Sequence, residues 1–140
     1  MILYLDTSAL VKLYVAEAGT EAVASAAARA TALVTVRVTY AEARAAFARH
    51  AHAKGLRPGE LRRVVRQLDE EWGQYSIVEV TDALVRRAGA LAEHHHLRGY
   101  EAVQLSAALD LRLGGATDVV FASFDAKLNH AARRQRLGSL

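Results

Sequence analysis

The sequence predicts an α/β fold, a short and mainly parallel sheet flanked by helices, and three observations lead there. Short β-branched runs alternate with longer helical patterns along the whole chain, the pattern of strands joined by helical crossovers. Asp6 ends the apolar run of MILYLDTSAL, and Asp125 closely follows that of DVVFASFD. Both acids therefore fall past the carboxyl end of an expected strand, where open α/β sheets place their ligands. The length of 140 residues fits one domain, residues 1–140, large enough to bury roughly two-thirds of the surface its unfolded chain exposes.

The elements follow in order. Ile2 to Leu5 is the first strand, and Asp6 or Thr7 can cap a helix running to about Val15. Gly19 breaks that helix, and Thr20 can cap a second through about Ala30. Leu33 to Val36 reads as the second strand. Thr39 precedes a long Ala-rich helix that stops near Gly55, because Pro58 and Gly59 punctuate the next residues. From Pro58 another helix carries Leu61, Val64, Val65, Leu68 and Trp72 on one face, so the two form a helical hairpin. Ile77 to Val80 is the third strand, and Thr81 can cap a helix to about His95. Gly99 to Leu113 is an amphipathic helix stopped by Gly114 and Gly115. Asp118 to Ala122 is the fourth strand, Asp125 to about Arg136 the last helix, and the residues beyond it are too few for another full strand.

Composition narrows the function. The 52% hydrophobic content is inflated by alanine, which favours helix but buries little area per residue. A net charge of +3 and a pI near 9.5 give a mild bias toward polyanions. The absence of cysteine excludes disulfides, zinc-thiolate sites and thiol catalysis. The start of the chain lacks the basic segment of a secretory signal and reaches a charge at Asp6, no run approaches the ~18 apolar residues of a membrane span, and a cytoplasmic location is the expectation.

Asp6, Glu42, Glu101 and Asp125 all fall at helix starts on the strand-end face. Singly, each has a plain structural role. Asp6 and Asp125 suit helix caps, Glu42 completes the capping-box pattern Thr39-Tyr-Ala-Glu42, and Glu101 suits the positive end of its helix. Jointly, four carboxylates on one face repel unless a divalent cation holds them.

These segments resemble the PIN-domain ribonucleases, most closely the VapC-type toxins of prokaryotic toxin–antitoxin pairs. MILYLDTSALVKLYV is similar to their opening strand and helix, TYAEARAAF to their second acidic helix, LRGYEAVQLSAAL to their third acidic motif, and FASFDAKLNHAA to their last. The resemblance implies a PIN-like three-layer domain in which Asp6, Glu42, Glu101 and Asp125 bind Mg²⁺ or Mn²⁺ and cleave RNA phosphodiesters. It also implies a VapB-type antitoxin, whose segment occupies a groove including the basic hairpin, and a homodimer. The third motif usually carries Asp, so Glu101 is a departure that lengthens the reach to metal by one methylene. Thr7, Ser8 and Ser123 can donate hydrogen bonds to the acids or serve as caps and turns.

Other features read more simply. His94, His95 and His96 are sequence neighbours and cannot share a helix face. Arg44, Arg49, Lys54, Arg57, Arg62, Arg63 and Arg66 read first as a solvated face, with few aromatics for stacking bases, and Trp72 is an interface candidate. Alternative functions are a catalytically weak PIN-like RNA-binding module, an RNA-processing PIN nuclease outside a toxin–antitoxin pair, and a receiver-like signalling domain. Helix-borne Glu42 and Glu101 count against the last.

Overall fold

In the computed structural model, which describes residues 1–140, the apolar runs form β1 (Ile2–Leu5), β2 (Ala32–Val36), β3 (Ser76–Val78), β4 (Val119–Ala122) and β5 (Gly138–Ser139). They pair in the order β3-β2-β1-β4-β5, and every pairing is parallel. The central strand β1 matches Ile2 to Ala32 on one side and to Val119 on the other. The chain therefore builds outward from β1 through β2 to β3, then returns to lay β4 on the opposite edge. This reversal puts a topological switch point between the carboxyl ends of β1 and β4.

Helices cover both faces, which is why the strands read as apolar runs rather than alternating patterns. On one side α1 (Thr7–Val11), α2 (Thr20–Arg29), α3 (Thr39–Lys54) and α4 (Pro58–Glu71) pack on Leu3, Leu5 and Ala122 through Leu10, Val23, Phe47 and Leu68. On the other, α5 (Asp82–His95), α6 (Gly99–Leu113) and α7 (Ala126–Arg134) pack on Tyr4, Val34, Val36 and Phe121 through Leu84, Leu105 and Leu128. The strand period of two sends Leu3 and Leu5 to one layer and Tyr4 to the other. Tyr4 stacks on Phe121 with ring centroids 5.4 Å apart. Leu10 and Leu105 are fully buried, so truncating either to Ala costs about 2–5 kcal/mol.

Several boundaries differ from the sequence reading. The first helix ends at Val11 rather than Val15, and residues to Val15 continue as tight turns bonded from Leu13 N–H to Leu10 C=O. The N-cap of α2 is Gly19 rather than Thr20. Its φ of +94° is left-handed, and an added Cβ would lie 2.5 Å from the Phe124 ring, so only glycine fits. Thr20 instead donates to the Lys12 carbonyl and accepts from the Glu17 N–H. The third strand stops at Val78, because Glu79 and Val80 are exposed beyond the last β2 partner. A short fifth strand does form, with Gly138 pressed against β4, where a Cβ would meet the Val120 side chain at 3.2 Å. No helix is long and apolar enough to cross a membrane.

Candidate metal-binding active site

Asp6 leaves β1 at the switch point and is held by the turn into α1. Its Oδ1 accepts the Ala9 N–H at 2.9 Å and the Ser8 hydroxyl at 2.7 Å. Only 4% of its surface is exposed. That burial raises its carboxyl above the usual carboxylate range; the Ser123 and Ser8 hydroxyls and the Ala9 N–H oppose the rise, and the charge of Glu42 adds to it. No Lys or Arg pairs with it. A carboxylate so placed would be stabilised by a cation from outside the chain.

Asp125 leaves the β4 end and caps α7 by accepting the Leu128 N–H at 2.8 Å. Glu101 sits in the first turn of α6, and its Oε2 accepts the Arg98 N–H at 2.8 Å. Both thus hold the capping positions their sequence contexts suggest, each through one oxygen. Glu42 behaves differently. The capping box with Thr39 does not form: α3 has no side-chain cap, and Glu42 Oε1 accepts the Thr7 hydroxyl at 2.8 Å and the Gln104 amide at 2.9 Å. The Thr39 hydroxyl is buried instead, 2.8 Å from that of Thr35.

All four acids line one cleft of about 630 Å³, together with Thr7, Ser8, Arg98, Gly99, Tyr100, Gln104 and Leu128. As the side chains stand, no three of the acids close around a common ligating point. Mg²⁺ requires no such cage, since it keeps several waters and takes one or two carboxylates directly. Glu42 Oε2, Glu101 Oε1 and Asp125 Oδ2 have no protein donor, so hard oxygen ligands remain available and the donor set fits such an ion. A cavity of about 690 Å³ at the opposite end, bounded by Arg87, Arg112, Thr117 and Gln135, contains none of these acids.

Gln104, absent from the sequence reading, is 3% exposed and lies at the back of the cleft. It accepts the Tyr4 hydroxyl at 2.7 Å and donates to Glu42. The available signal was a lone amide three residues after Glu101 within a largely apolar helix segment. Ser8 and Ser123 act at the strand ends: Ser8 Oγ accepts the Phe124 N–H, and Ser123 Oγ accepts the Asp125 N–H. His95 caps no acid and lies away from this cleft, while Trp72 packs on Tyr40 and Tyr75 within its own layer.

Residues 3–134 match the family model described as PIN domain. The chain belongs to the PIN-domain family. The matched span runs from β1 through α7 and includes every acid of the cleft. Ribonuclease VapC45 of Mycobacterium tuberculosis (strain CDC 1551 / Oshkosh) is 34% identical to this PIN domain over 131 residues, 94% of this chain and 89% of that protein. Among solved structures, Mycobacterium tuberculosis VapC20, described as a Sarcin-Ricin loop cleaving toxin, superposes with a TM-score of 0.68 at 15% identity, covering 92% of this chain and 94% of that one. VapBC-1 from nontypeable Haemophilus influenzae gives 0.66 at 16% identity, covering 100% and 97%. Within its family the PIN domain is thus similar to the VapC-type ribonuclease toxins, in sequence and in its three layers.

Proposed function

We propose that this PIN domain, spanning residues 1–140, is a divalent-cation-dependent endoribonuclease and the toxin of a type II toxin–antitoxin pair. Asp6, Glu42, Glu101 and Asp125 are its metal-binding and catalytic acids. The observation that carries this reading is the single cleft at the switch point, lined by all four.

These carboxylates would hold Mg²⁺ or Mn²⁺, which would supply neutralisation of phosphate charge and a more acidic bound water. Asp6, the most buried of the four, would hold the ion together with the other acids of the cleft. Glu42 and Asp125 each keep an oxygen free of protein donors and would use it to orient the attacking water or take its proton. Attack forms the new P–O bond as the bond to the ribose 3′ oxygen breaks, and that oxygen takes up a proton. Arg98, exposed at the rim, is the cation of the cleft lining and would be available to an RNA phosphate. The Glu101 side chain is longer by one methylene than the aspartate usual at its position and reaches into the cleft while its other oxygen holds the Arg98 N–H.

The VapBC likeness supports a VapB-type antitoxin as partner, and a homodimer in the cytoplasm completes the reading. Incubating labelled RNA with the purified protein tests the activity: cleavage with Mg²⁺ or Mn²⁺ and none with chelator is expected. Undiminished cleavage in chelator would remove metal dependence.

A further inference from the structure

Resting on that reading of the cleft, we infer that Gln104 is a positioning residue that fixes which oxygen of Glu42 faces the metal. The hydrogen-bond network allows one arrangement of protons. Tyr4, fully buried, donates its hydroxyl proton to Gln104 Oε1 at 2.7 Å, so the amide nitrogen turns the other way. Reversing the amide would set its oxygen against the Glu42 carboxylate. One N–H reaches Thr39 Oγ1 at 3.0 Å. The other is shared between Glu42 Oε1 at 2.9 Å and Thr7 Oγ1 at 3.2 Å.

The neighbouring hydroxyls follow. Thr7 gives its proton to Glu42 Oε1, so it accepts from Gln104. Thr35 gives its proton to the Leu5 carbonyl at 2.7 Å, so Thr39 donates to Thr35. Two neutral donors from different elements, Thr7 at the start of α1 and Gln104 within α6, thus converge on one oxygen of Glu42. Oε2 is left for the cleft, and no cation competes with the metal for the carboxylate. Gln104 stands one turn beyond Glu101, and its amide bridges α6, which carries Glu101, to α3, which carries Glu42. Partners of ligating carboxylates typically change metal affinity or activity by roughly 10–100-fold when removed.

Gln104→Leu, measured by Mn²⁺ calorimetry without RNA and by cleavage kinetics, tests this. The expected result is an affinity loss of roughly 10–100-fold, with a fall in kcat exceeding any change in KM. The single variant also strands the Tyr4 hydroxyl, so Tyr4→Phe/Gln104→Leu is measured beside it: replacing both partners recovers thermal stability but not affinity. In a Glu42→Ala background, Gln104→Leu should add little, as expected when one residue acts through the other. Wild-type Mn²⁺ affinity and kcat in folded Gln104→Leu would overturn the assignment, as would an equal loss in the Glu42→Ala background. If the wild-type protein itself neither binds Mn²⁺ nor cleaves RNA, the metal-nuclease reading fails first and the positioning role falls with it.

Discussion

Ser8 Oγ accepts the Phe124 N–H at 2.9 Å while donating to Asp6 Oδ1 at 2.7 Å. One hydroxyl therefore joins the turn after β1 to the turn after β4 and orients the most buried acid of the cleft. Separating the two strand ends would break the Phe124 bond that helps hold the Ser8 hydroxyl on Asp6. The placement of the acids is thus a property of the sheet order as much as of the acids themselves.

A cation that binds the folded cleft and not the unfolded chain stabilises by mass action, by about 2.7 kcal/mol at one hundred times its Kd. Scanning calorimetry with Mg²⁺ or Mn²⁺ against chelator should show a Tm higher by several degrees, and Asp125→Asn should shrink that rise. Equal midpoints in chelator and saturating cation would remove the clustered-ligand argument.

Asp6 carries a cost to stability in the metal-free protein. Burial holds its folded carboxyl above the ordinary 3.8, so the folded state keeps a proton that the unfolded chain has lost. Stability falls as pH rises from 3.8 through the folded value, and the loss persists at neutral pH. In chelator at pH 7, Asp6→Asn should melt at or above the wild-type temperature. A Tm several degrees lower would show that the ionised carboxylate is compensated within the chain.

Glu101 accepts the Arg98 N–H through Oε2 and leaves Oε1 without a protein donor, the oxygen proposed for the metal. Glu101→Asp keeps the charge but shortens its reach to the Arg98 N–H, and should alter Mg²⁺/Mn²⁺ preference while retaining binding. Glu101→Ala loses the ligand and the helix-start bond, costing about 1 kcal/mol of stability and most of the metal affinity. Calorimetric titration of both variants checks this, and wild-type affinity in folded Glu101→Ala would reduce Glu101 to a cap.

His95, at the end of α5, gives a pH dependence distant from the cleft. Burial lowers its pKa below 6.5, and His94, Arg134, His130 and His96 reinforce the effect. Gln135 donates to its Nε2 at 3.0 Å, which requires an unprotonated nitrogen there. A depressed folded pKa means that the unfolded chain takes up the proton first. The contribution is complete above 6.5 and is lost as pH falls below it, through the lowered folded value. Denaturant unfolding between pH 7 and pH 5 should show this decline, and His95→Gln should flatten it. An unchanged slope in the variant would assign the decline to other groups.

The strands at Ile2–Leu5 and Val119–Ala122 were legible because layers on both faces demand continuous apolar runs. The acids after them followed from the same pattern. Glu42 was harder to place, since Thr39-Tyr-Ala-Glu42 satisfies a local capping rule that the fold overrides by burying Thr39 against Thr35 and Gln104. Gln104 left almost no local trace, because its role depends on Tyr4, 100 positions away in the chain. The last strand escaped because two residues carry no periodicity; its pairing rests on the close approach of Gly138 to β4.

The proposed activity is hydrolysis of RNA in the cleft through cations held by its carboxylates. Its most direct test compares RNA cleavage by the wild-type protein and by Asp6→Asn, each shown folded by circular dichroism, with Mn²⁺ and with chelator. Cleavage is expected only by wild type with Mn²⁺, with a loss of at least two orders of magnitude in the variant, about 2.7 kcal/mol or more of transition-state stabilisation. Full activity in folded Asp6→Asn, or cleavage by the wild type that survives the chelator, would contradict it.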